Sequence, residues 1–201
     1  PATNPIFVND MGTHKQNCRI IADVMHSHGV RHIVCSPGSR NAPMLLAVDS
    51  LPKVETHIVI DERSAAFVAL GLAQISREPV ALVCTSGTAL LNYAPAVAEA
   101  YYQGLPLIVI SADRPERWID QDDSQTLRQP GALSNFVKKS YDIHDFAADN
   151  LDMCRYANRE VNDAMITALR RRRGPVHINV RLDEPLTSGE QIPFSLQRKI
   201  C

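Results

Sequence analysis

The segment HIVCSPGSRNA, residues 32–42, contains the structural unit from which the fold can be predicted. Its apolar run ends at Cys35 and predicts a buried β-strand, the Ser-Pro-Gly-Ser sequence predicts a tight turn, and Ala42 begins a helix-compatible stretch. Arg40 follows the turn, at a position where small capping residues are the usual choice. The segment therefore predicts a strand, a turn and a helix, with a cation just beyond the end of the strand.

The same pattern recurs on both sides of this segment. The predicted helices are residues 15–28, 42–50, 64–76, 89–103 and about 151–172, and the further predicted strands are 57–60, 80–84, 107–110 and 176–180. The strand runs are apolar throughout, which is typical of strands that helices cover on both faces. We therefore predict an α/β fold, a parallel β-sheet with helices on both faces.

Polar or charged residues follow four of the predicted strands. They are SPGSR at 36–40, DERS at 61–64, TSGT at 85–88 and SADRP at 111–115. Ligands of open α/β sheets bind beyond the carboxyl ends of the strands, so we expect these four segments to form one binding edge. The nearly strandless stretch 113–135 exceeds the usual loop length and is predicted to be a functional loop over that edge.

Composition excludes several classes of function. The 201 residues carry 21 Lys and Arg against 22 Asp and Glu, a net charge of -1, so no nucleic-acid partner is expected. No apolar run reaches the ~20 residues that a membrane helix requires, and no membrane partner is expected. The five cysteines form no CxxC pair, which is typical of reduced thiols and predicts a cytoplasmic location.

Spacing also bears on metal binding and on domain organisation. The seven histidines lack the spacing of a metal-ligand motif, so no metal ligands are predicted in this chain. Residues 14–183 are expected to form one domain, residues 1–13 an arm outside it, and residues 184–201 the start of a linker to a middle domain that this chain lacks.

Glu62 is a candidate catalytic residue, because the apolar run IVI leads directly into Asp61 and Glu62. A carboxylate buried at the end of a strand holds a proton more readily than one in water. The alternative is that both acids only cap the following helix at its positive end. Ser86 lacks the G-x-S-x-G context of a nucleophile, and the chain has neither G-x-G-x-x-G nor a P-loop motif.

Four arginines lie on the predicted binding edge: Arg40, Arg114, Arg117 and Arg128. Each alone is typical of a solvated surface, but guanidinium groups gathered at a ligand-binding edge form bidentate clamps for carboxylates or phosphates. Together they predict an anionic ligand. The run RRRR at 170–173 closes a helix, where cations favour the negative end of the helix dipole.

The segments SPGSRNAP, DERSAAF, CTSGTALLN, SADRPER and DSQTLRQPG occur in this order, with spacings that resemble one enzyme family. From about residue 14 to 186 the chain resembles the amino-terminal, pyrimidine-binding domain of the 2-succinyl-5-enolpyruvyl-6-hydroxy-3-cyclohexene-1-carboxylate synthases. The resemblance implies a thiamine-diphosphate-dependent transferase of menaquinone biosynthesis. Such an enzyme decarboxylates 2-oxoglutarate and adds the succinyl unit to isochorismate.

The resemblance also implies roles for individual residues. Glu62 would be catalytic and would hydrogen-bond a ring nitrogen of the aminopyrimidine. The further cofactor contacts implied are Pro37, Thr88 and Asn92, and the substrate contacts implied are Ser39, Arg40, Arg114 and Gln125, with Arg117 close to them. Both substrates are dicarboxylates, which would explain why the chain places Arg40 beyond the turn.

One departure from the family concerns the diphosphate end of the cofactor. Thiamine enzymes hold the diphosphate through Mg²⁺ or Mn²⁺ with a G-D-G motif, and none of the nine glycines stands in one. The resemblance thus implies a homodimer or homotetramer of a longer protein, in which the diphosphate site lies outside this chain, and the isolated chain is predicted to be inactive. The alternatives are the same domain of another thiamine-dependent decarboxylase or carboligase, and a non-catalytic association domain.

Overall fold

The computed structural model describes residues 13–187. Its centre is a six-stranded sheet in which all paired strands are parallel, in the order β2-β1-β3-β4-β6-β5. The strands are β1 (His32–Cys35), β2 (Glu55–Ile58), β3 (Val80–Cys84), β4 (Leu107–Asp113), β5 (Ser140–Ile143) and β6 (Val176–Arg181). The helices are α1 (Gln16–Ser27), α2 (Ala42–Asp49), α3 (Glu62–Ser76), α4 (Thr88–Asn92), α5 (Ala94–Gln103) and α6 (Leu151–Leu169), with a 3₁₀ turn at Glu116–Trp118.

Helices cover both faces of the sheet, as predicted. Side chains alternate across a strand, so Ile33 and Cys35 of β1 point to one face and Val34 to the other. Ile33 and Cys35 belong to a core with residues of α1, α2 and α6, whereas Val34 belongs to a second core with residues of α3, α4 and α5. The apolar strand runs are therefore explained by burial on both sides.

Several predicted boundaries differ from the structure. The second strand is Glu55–Ile58 rather than 57–60, and the helix after it begins at Glu62 rather than at residue 64. The single helix predicted over 89–103 is two helices that meet at Tyr93, with Pro95 in the first turn of α5. Proline cannot donate a backbone hydrogen bond, so the chain restarts the helix there.

The sequence pattern predicts no strand within residues 113–150, but β5 lies there at the edge of the sheet, paired with β6. β4 also continues to Asp113, three residues beyond its predicted end. The predicted arm and linker fall mostly on residues 1–12 and 188–201, which lie outside the described residues. The domain boundaries therefore stay a prediction.

Between residues 13 and 187, no helix combines the length and the apolar character needed to cross a membrane. The cysteines of this region, Cys18, Cys35, Cys84 and Cys154, are free thiols, as their spacing predicts.

The strand order places a crevice between β1 and β3. These two strands are neighbours, but the chain leaves β1 toward β2 and leaves β3 toward β4, in opposite directions across the sheet. The connections therefore diverge at the carboxyl ends of β1 and β3, which is the place where open parallel sheets bind ligands. The SPGS and TSG turns both lie at this point.

Candidate functional site

The turn after β1 is held by a buried asparagine. Asn41 accepts a hydrogen bond through Oδ1 from the backbone N–H of Gly38 at 2.8 Å, and its Nδ2 donates to the carbonyl of Ser36 at 2.9 Å. The N–H of Ser36 donates to the carbonyl of Val83 on β3 at 2.9 Å. The two bonds of Asn41 hold the shape of the turn, and the bond from Ser36 joins the turn to β3.

Two glycines let the turns of this crevice approach each other closely. A Cβ atom on Gly38 would lie 2.6 Å from Cβ of Thr85, and one on Gly87 would lie 2.9 Å from Cγ of Gln125. Gly87 also has a positive φ of 77°, a conformation that other residues adopt only with strain. Gly38 therefore lets the turn after β1 pack against Thr85, and Gly87 lets the turn after β3 pack against Gln125 of the loop after β4.

Glu62 begins α3 beside this crevice. Asp61 caps the helix, since its Oδ1 accepts a hydrogen bond from the N–H of Ser64 at 2.7 Å. Glu62 is half-buried rather than fully buried, because it stands in the first turn of a helix and not at the end of a strand. Burial raises the pKa of the Cys84 thiol well above its usual range, and the negative charge of Glu62 adds to this. Glu62 therefore interacts electrostatically with Cys84, the last residue of β3.

Arg114 and Gln125 meet on the turn after β3. Arg114 is largely buried and donates to Ser86 Oγ at 2.8 Å and to Asp123 at 2.6 Å, while its Nη1 also reaches the carbonyl of Gln125. The Gln125 side chain donates to the carbonyl of Ser86 at 3.1 Å. The structure thus brings together two predicted substrate contacts. Within residues 13–187, Ser86 Oγ accepts from the guanidinium of Arg114 and is hydrogen-bonded to no base, which argues against a nucleophilic role.

Arg40 lies against the end of β6. Its guanidinium donates to the carbonyl of Leu182 at 3.1 Å and pairs with Glu184 at 3.1 Å. The N–H of Leu182 in turn donates to the carbonyl of Asp113, the residue before Arg114. Arg40 and Arg114 therefore flank the same pair of strand ends.

Arg117 and Arg128 pair with carboxylates of this chain, Asp183 and Asp120 respectively. These two arginines, and not Arg40 or Arg114, line two cavities of about 320 and 470 Å³ beyond the ends of β4, β5 and β6. Both cavities also contain Arg181. The predicted arginine set is therefore divided between the crevice and these neighbouring cavities.

The remaining predicted contacts lie on the exposed edge of the crevice. Pro37 and Ser39 are exposed in the turn after β1. Thr88 and Asn92 are the first and last residues of α4, both exposed, and Asn92 Nδ2 donates to the carbonyl of Thr88. Their position fits a ligand in the crevice, but none of the contacts recorded for them ties them to Glu62.

Gln129 is a site residue that the sequence pattern does not reveal. It is fully buried, and its Oε1 accepts a hydrogen bond from the N–H of Gly87 at 2.7 Å. Its Nε2 donates to Asn179 at 2.8 Å and to the carbonyl of Ala112 at 3.1 Å. A glutamine in a polar loop carries no signal of burial. Its contacts show that the loop after β4 holds the TSG turn in place.

The buried polar groups beneath Gln129 extend this network. Ser111 joins His177 at 2.8 Å, and Asn179 donates to Asp113 at 2.9 Å. Desolvation raises the pKa of Asp113, although its hydrogen bonds and Arg181 act in the opposite direction. Buried polar groups of this kind order a structure when they are satisfied. They link β4, β6 and the loop beneath the TSG turn, although Nδ1 of His177 is buried without a hydrogen-bond partner among the described residues.

These residues fit the aminopyrimidine end of thiamine diphosphate. The carboxylate of Glu62 can share a proton with a ring nitrogen. Pro37 stands exposed on the turn after β1, and Thr88 and Asn92 stand exposed on α4, which follows β3. They do not fit the diphosphate end, which requires a hard cation with oxygen ligands. In residues 13–187, the side chains with metal-ligand geometry are His32, Glu55 and His57, which start from the opposite, amino end of β1 and β2.

Comparison with known proteins agrees with this fit. Residues 17–132 match the family model of the thiamine pyrophosphate enzyme N-terminal TPP binding domain. A crystal structure of benzoylformate decarboxylase from Polynucleobacter necessarius superimposes with a TM-score of 0.69 over 93% of this chain and 33% of that one. At 23% sequence identity, that similarity concerns the fold.

Two curated relatives are much closer in sequence. The 2-succinyl-5-enolpyruvyl-6-hydroxy-3-cyclohexene-1-carboxylate synthase of Porphyromonas gingivalis is 53% identical over 172 residues, 86% of this chain and 30% of the relative. The synthase of the same name from Desulfotalea psychrophila is 51% identical over 179 residues, 88% of this chain and 33% of the relative. The chain thus spans about a third of the length of these relatives. With the fold, the crevice and the family match in agreement, the chain belongs to the family of thiamine pyrophosphate enzyme N-terminal TPP binding domains.

Proposed function

We propose that this chain is the pyrimidine-binding domain of a synthase that decarboxylates 2-oxoglutarate and adds the succinyl unit to isochorismate, in menaquinone biosynthesis. The observation that carries the proposal is that Arg40, Arg114 and Gln125 lie at the carboxyl-end edge of the parallel sheet, the edge at which Glu62 begins α3. The names of the two relatives support it. Substrates with two carboxylates require more cationic side chains than a decarboxylase needs for substrates with a single carboxylate.

Thiamine diphosphate, when bound, supplies the stabilisation of negative charge that decarboxylation of a 2-oxo acid requires. In the proposed function, Glu62 orients the aminopyrimidine by sharing a proton with its ring nitrogen. Pro37, Thr88 and Asn92 bound the crevice on its exposed side. Gln129 keeps the backbone of Gly87 in position beneath it.

The ion pairs of Arg40 and Arg114 are compatible with substrate binding. The arginine side chains are only 14% and 11% exposed, whereas their partners Glu184 and Asp123 are 65% and 39% exposed. Pairs with a solvated partner contribute about 0–1 kcal/mol, and a well-placed hydrogen bond to a charged group contributes about 1.5–3 kcal/mol. A substrate carboxylate can therefore replace the acid of this chain while the guanidinium stays in place.

A second protein surface is part of the proposal. Since no G-D-G motif is present in the 201 residues, the groups that hold Mg²⁺ or Mn²⁺ and the diphosphate would come from another domain or subunit. Exposed apolar side chains next to Glu62 support this: Ile60 is 83% exposed, Phe67 47% and Leu91 41%. Such a patch is typical of a protein interface. We infer a homodimer or homotetramer of the longer protein.

The test is turnover of 2-oxoglutarate and isochorismate by the full-length protein with thiamine diphosphate and Mg²⁺. We expect succinyl transfer from the full-length protein and none from the 201-residue chain alone. Full-length protein that accepts 2-oxo acids with a single carboxylate but not this substrate pair would contradict the proposal and favour another thiamine-dependent carboligase. Full-length protein that binds no cofactor would favour an association domain.

The role of the arginines has its own test in the full-length protein. Arg40→Ala and Arg114→Ala should each raise the KM for a dicarboxylate by about 10–100-fold, because a charged hydrogen bond is lost, with thiamine diphosphate affinity nearly unchanged. Arg155→Ala, which removes an exposed arginine of α6 paired with Asp152, is the control and should leave both constants unchanged. Equal losses of cofactor and substrate affinity would contradict the clamp assignment.

A further inference from the structure

His32, Glu55 and His57 form a cluster on β1 and the edge strand β2. His32 Nδ1 and His57 Nε2 are 3.3 Å apart. Carboxylate oxygens of Glu55 lie 3.6 Å from His32 Nδ1 and 3.8 Å from His57 Nε2. One nitrogen or oxygen atom of each side chain thus lies within 4.8 Å of those of the other two.

Strand pairing produces this cluster. β1 and β2 are parallel, with His32 opposite Glu55 and Val34 opposite His57. Residues two apart on a strand point to the same face, so His57 joins Glu55 and His32 on one side of the sheet. His32 and His57 are 25 residues apart in sequence, which explains why spacing alone predicts no metal site.

The distances match those of a transition-metal site. Zn²⁺ binds histidine nitrogens at about 2.0–2.1 Å, so two such nitrogens at tetrahedral angles lie about 3.3–3.4 Å apart. The nitrogens of His32 and His57 are already at this separation, and small rotations of the Glu55 side chain would bring an oxygen into range. Two histidines and one carboxylate also form a known ligand set for Zn²⁺.

We propose that His32, Glu55 and His57 form a binding site for a divalent transition-metal ion of the zinc class, with a fourth position open to solvent. The side chains of His32 and His57 are 27% and 26% exposed and that of Glu55 is 67% exposed, so an ion can enter from solvent. The nearby guanidinium of Arg31 donates to the carbonyls of His26 and Val30, and is held there.

This site is separate from the cation of the cofactor. Imidazole ligands favour zinc, copper and nickel, whereas Mg²⁺ requires oxygen ligands and keeps its water. The cluster begins at the first residues of β1 and β2, while the proposed cofactor crevice lies beyond their last residues. A bound ion would join the edge strand β2 to β1 and would stabilise the folded chain in proportion to its binding.

The test is calorimetric titration of the 201-residue chain with ZnCl₂, alongside thermal unfolding with and without the metal. We expect one equivalent of Zn²⁺ to bind and to raise the Tm. Glu55→Gln and His57→Ala should each weaken binding by at least about 10-fold, because a ligand is lost. Glu55→Gln changes an exposed side chain, so its fold should be intact and its loss of binding interpretable.

His144→Ala is the matched control, because His144 pairs with one carboxylate, that of Asp142, and belongs to no such cluster among the described residues. It should bind Zn²⁺ as tightly as the unchanged chain. Addition of MgCl₂ should change the Tm of the unchanged chain and the Tm of His57→Ala by the same amount. The proposal is overturned if Zn²⁺ does not bind, or if Glu55→Gln and His57→Ala bind it as tightly as His144→Ala does.

Discussion

At Gly38 the chain has no space for a side chain. A Cβ atom there would lie 2.6 Å from Thr85 Cβ, and this atom belongs to a buried residue whose position is fixed by β3. The two turns are thus in contact at the position that a Cβ atom on residue 38 would occupy. The same feature gives a direct test of how the crevice is built.

Gly38→Ala should lower the free energy of unfolding by about 1–3 kcal/mol, because overpacking forces the two turns apart. Gly71→Ala is the control, since Gly71 lies inside α3 with nothing within 4 Å of its Cβ position. That change should raise the free energy of unfolding by about 0.5–1 kcal/mol, because alanine favours a helix. Urea unfolding measures both, and a neutral Gly38→Ala would mean that the turns are farther apart.

Gln129 is the residue through which the loop after β4 reaches the crevice. Gln129→Leu leaves the buried N–H of Gly87 without this partner, whereas Asn179 Oδ1 still accepts from Ser111 Oγ at 3.0 Å. We expect it to lower the free energy of unfolding by about 1–3 kcal/mol, the cost of one unsatisfied buried group. Gln121→Leu, at an exposed position of the same loop, should change it by less than about 0.5 kcal/mol. Similar urea midpoints for the two variants would refute the supporting role of Gln129.

His177 should make stability depend on pH. It is fully buried in β6, and desolvation lowers its pKa to about 4, from 6.5 in the unfolded chain. Between pH 6.5 and 4 the unfolded chain therefore binds a proton that the folded chain does not, so stability falls as the pH falls through this window. The contribution reaches roughly 3 kcal/mol and stops growing below the folded pKa.

His177→Gln should remove this dependence, and urea unfolding at pH 7, 5.5 and 4.5 would show it as a flatter profile. Asp23 has the opposite effect on the pH dependence of stability. Burial raises its pKa from 3.8 to about 6, so between these pH values the folded chain binds a proton that the unfolded chain does not. Its effect is common to both proteins and cancels in the comparison. His144→Gln, at an exposed position, should keep the slope of the unchanged chain. Parallel profiles for His177→Gln and the unchanged chain would contradict this prediction.

At the scale of elements, the amino end of α3 carries two adjacent acids. Asp61 caps the helix, as the alternative reading of the sequence expects, and Glu62 stands half-buried in its first turn, where the proposed function assigns it the cofactor contact. Asp61→Ala should lower the free energy of unfolding by about 1 kcal/mol, because the N–H of Ser64 loses its acceptor. Chemical unfolding checks this, and an Asp61→Ala variant of unchanged stability would show that the cap is dispensable.

The elements that the sequence predicts well are those buried on both faces. β1 and β3 have continuous apolar residues and are found at their predicted bounds. The sequence does not reveal β5, because it is an edge strand in which only Tyr141 and Ile143 are buried and the residues that alternate with them, Ser140 and Asp142, are polar. The edge strand β2 is displaced for a related reason, since Ile58 is 59% exposed and Glu55 begins the strand.

At the scale of the whole molecule, strand order decides which residues meet. The motifs place Glu62 and Arg114 on one edge of the sheet, and the parallel topology confirms that edge. The partners of the arginines could not be predicted, because Arg40 pairs with Glu184, far along the chain, and local sequence does not encode such pairs. Gln129 is hidden for the same reason, since its partners come from three other segments.

In the proposed function, Glu62 is the group that activates the cofactor, and the other assignments depend on this role. The most direct measurement is exchange of the C2 proton of thiamine diphosphate bound to the full-length protein, followed by NMR after quenching. Glu62→Gln should slow this exchange by about 100-fold or more, the size expected for loss of a group that controls proton transfer. Glu78→Gln, an exposed change just after α3, should leave it unchanged. Exchange at the same rate in Glu62→Gln and Glu78→Gln would contradict the central claim.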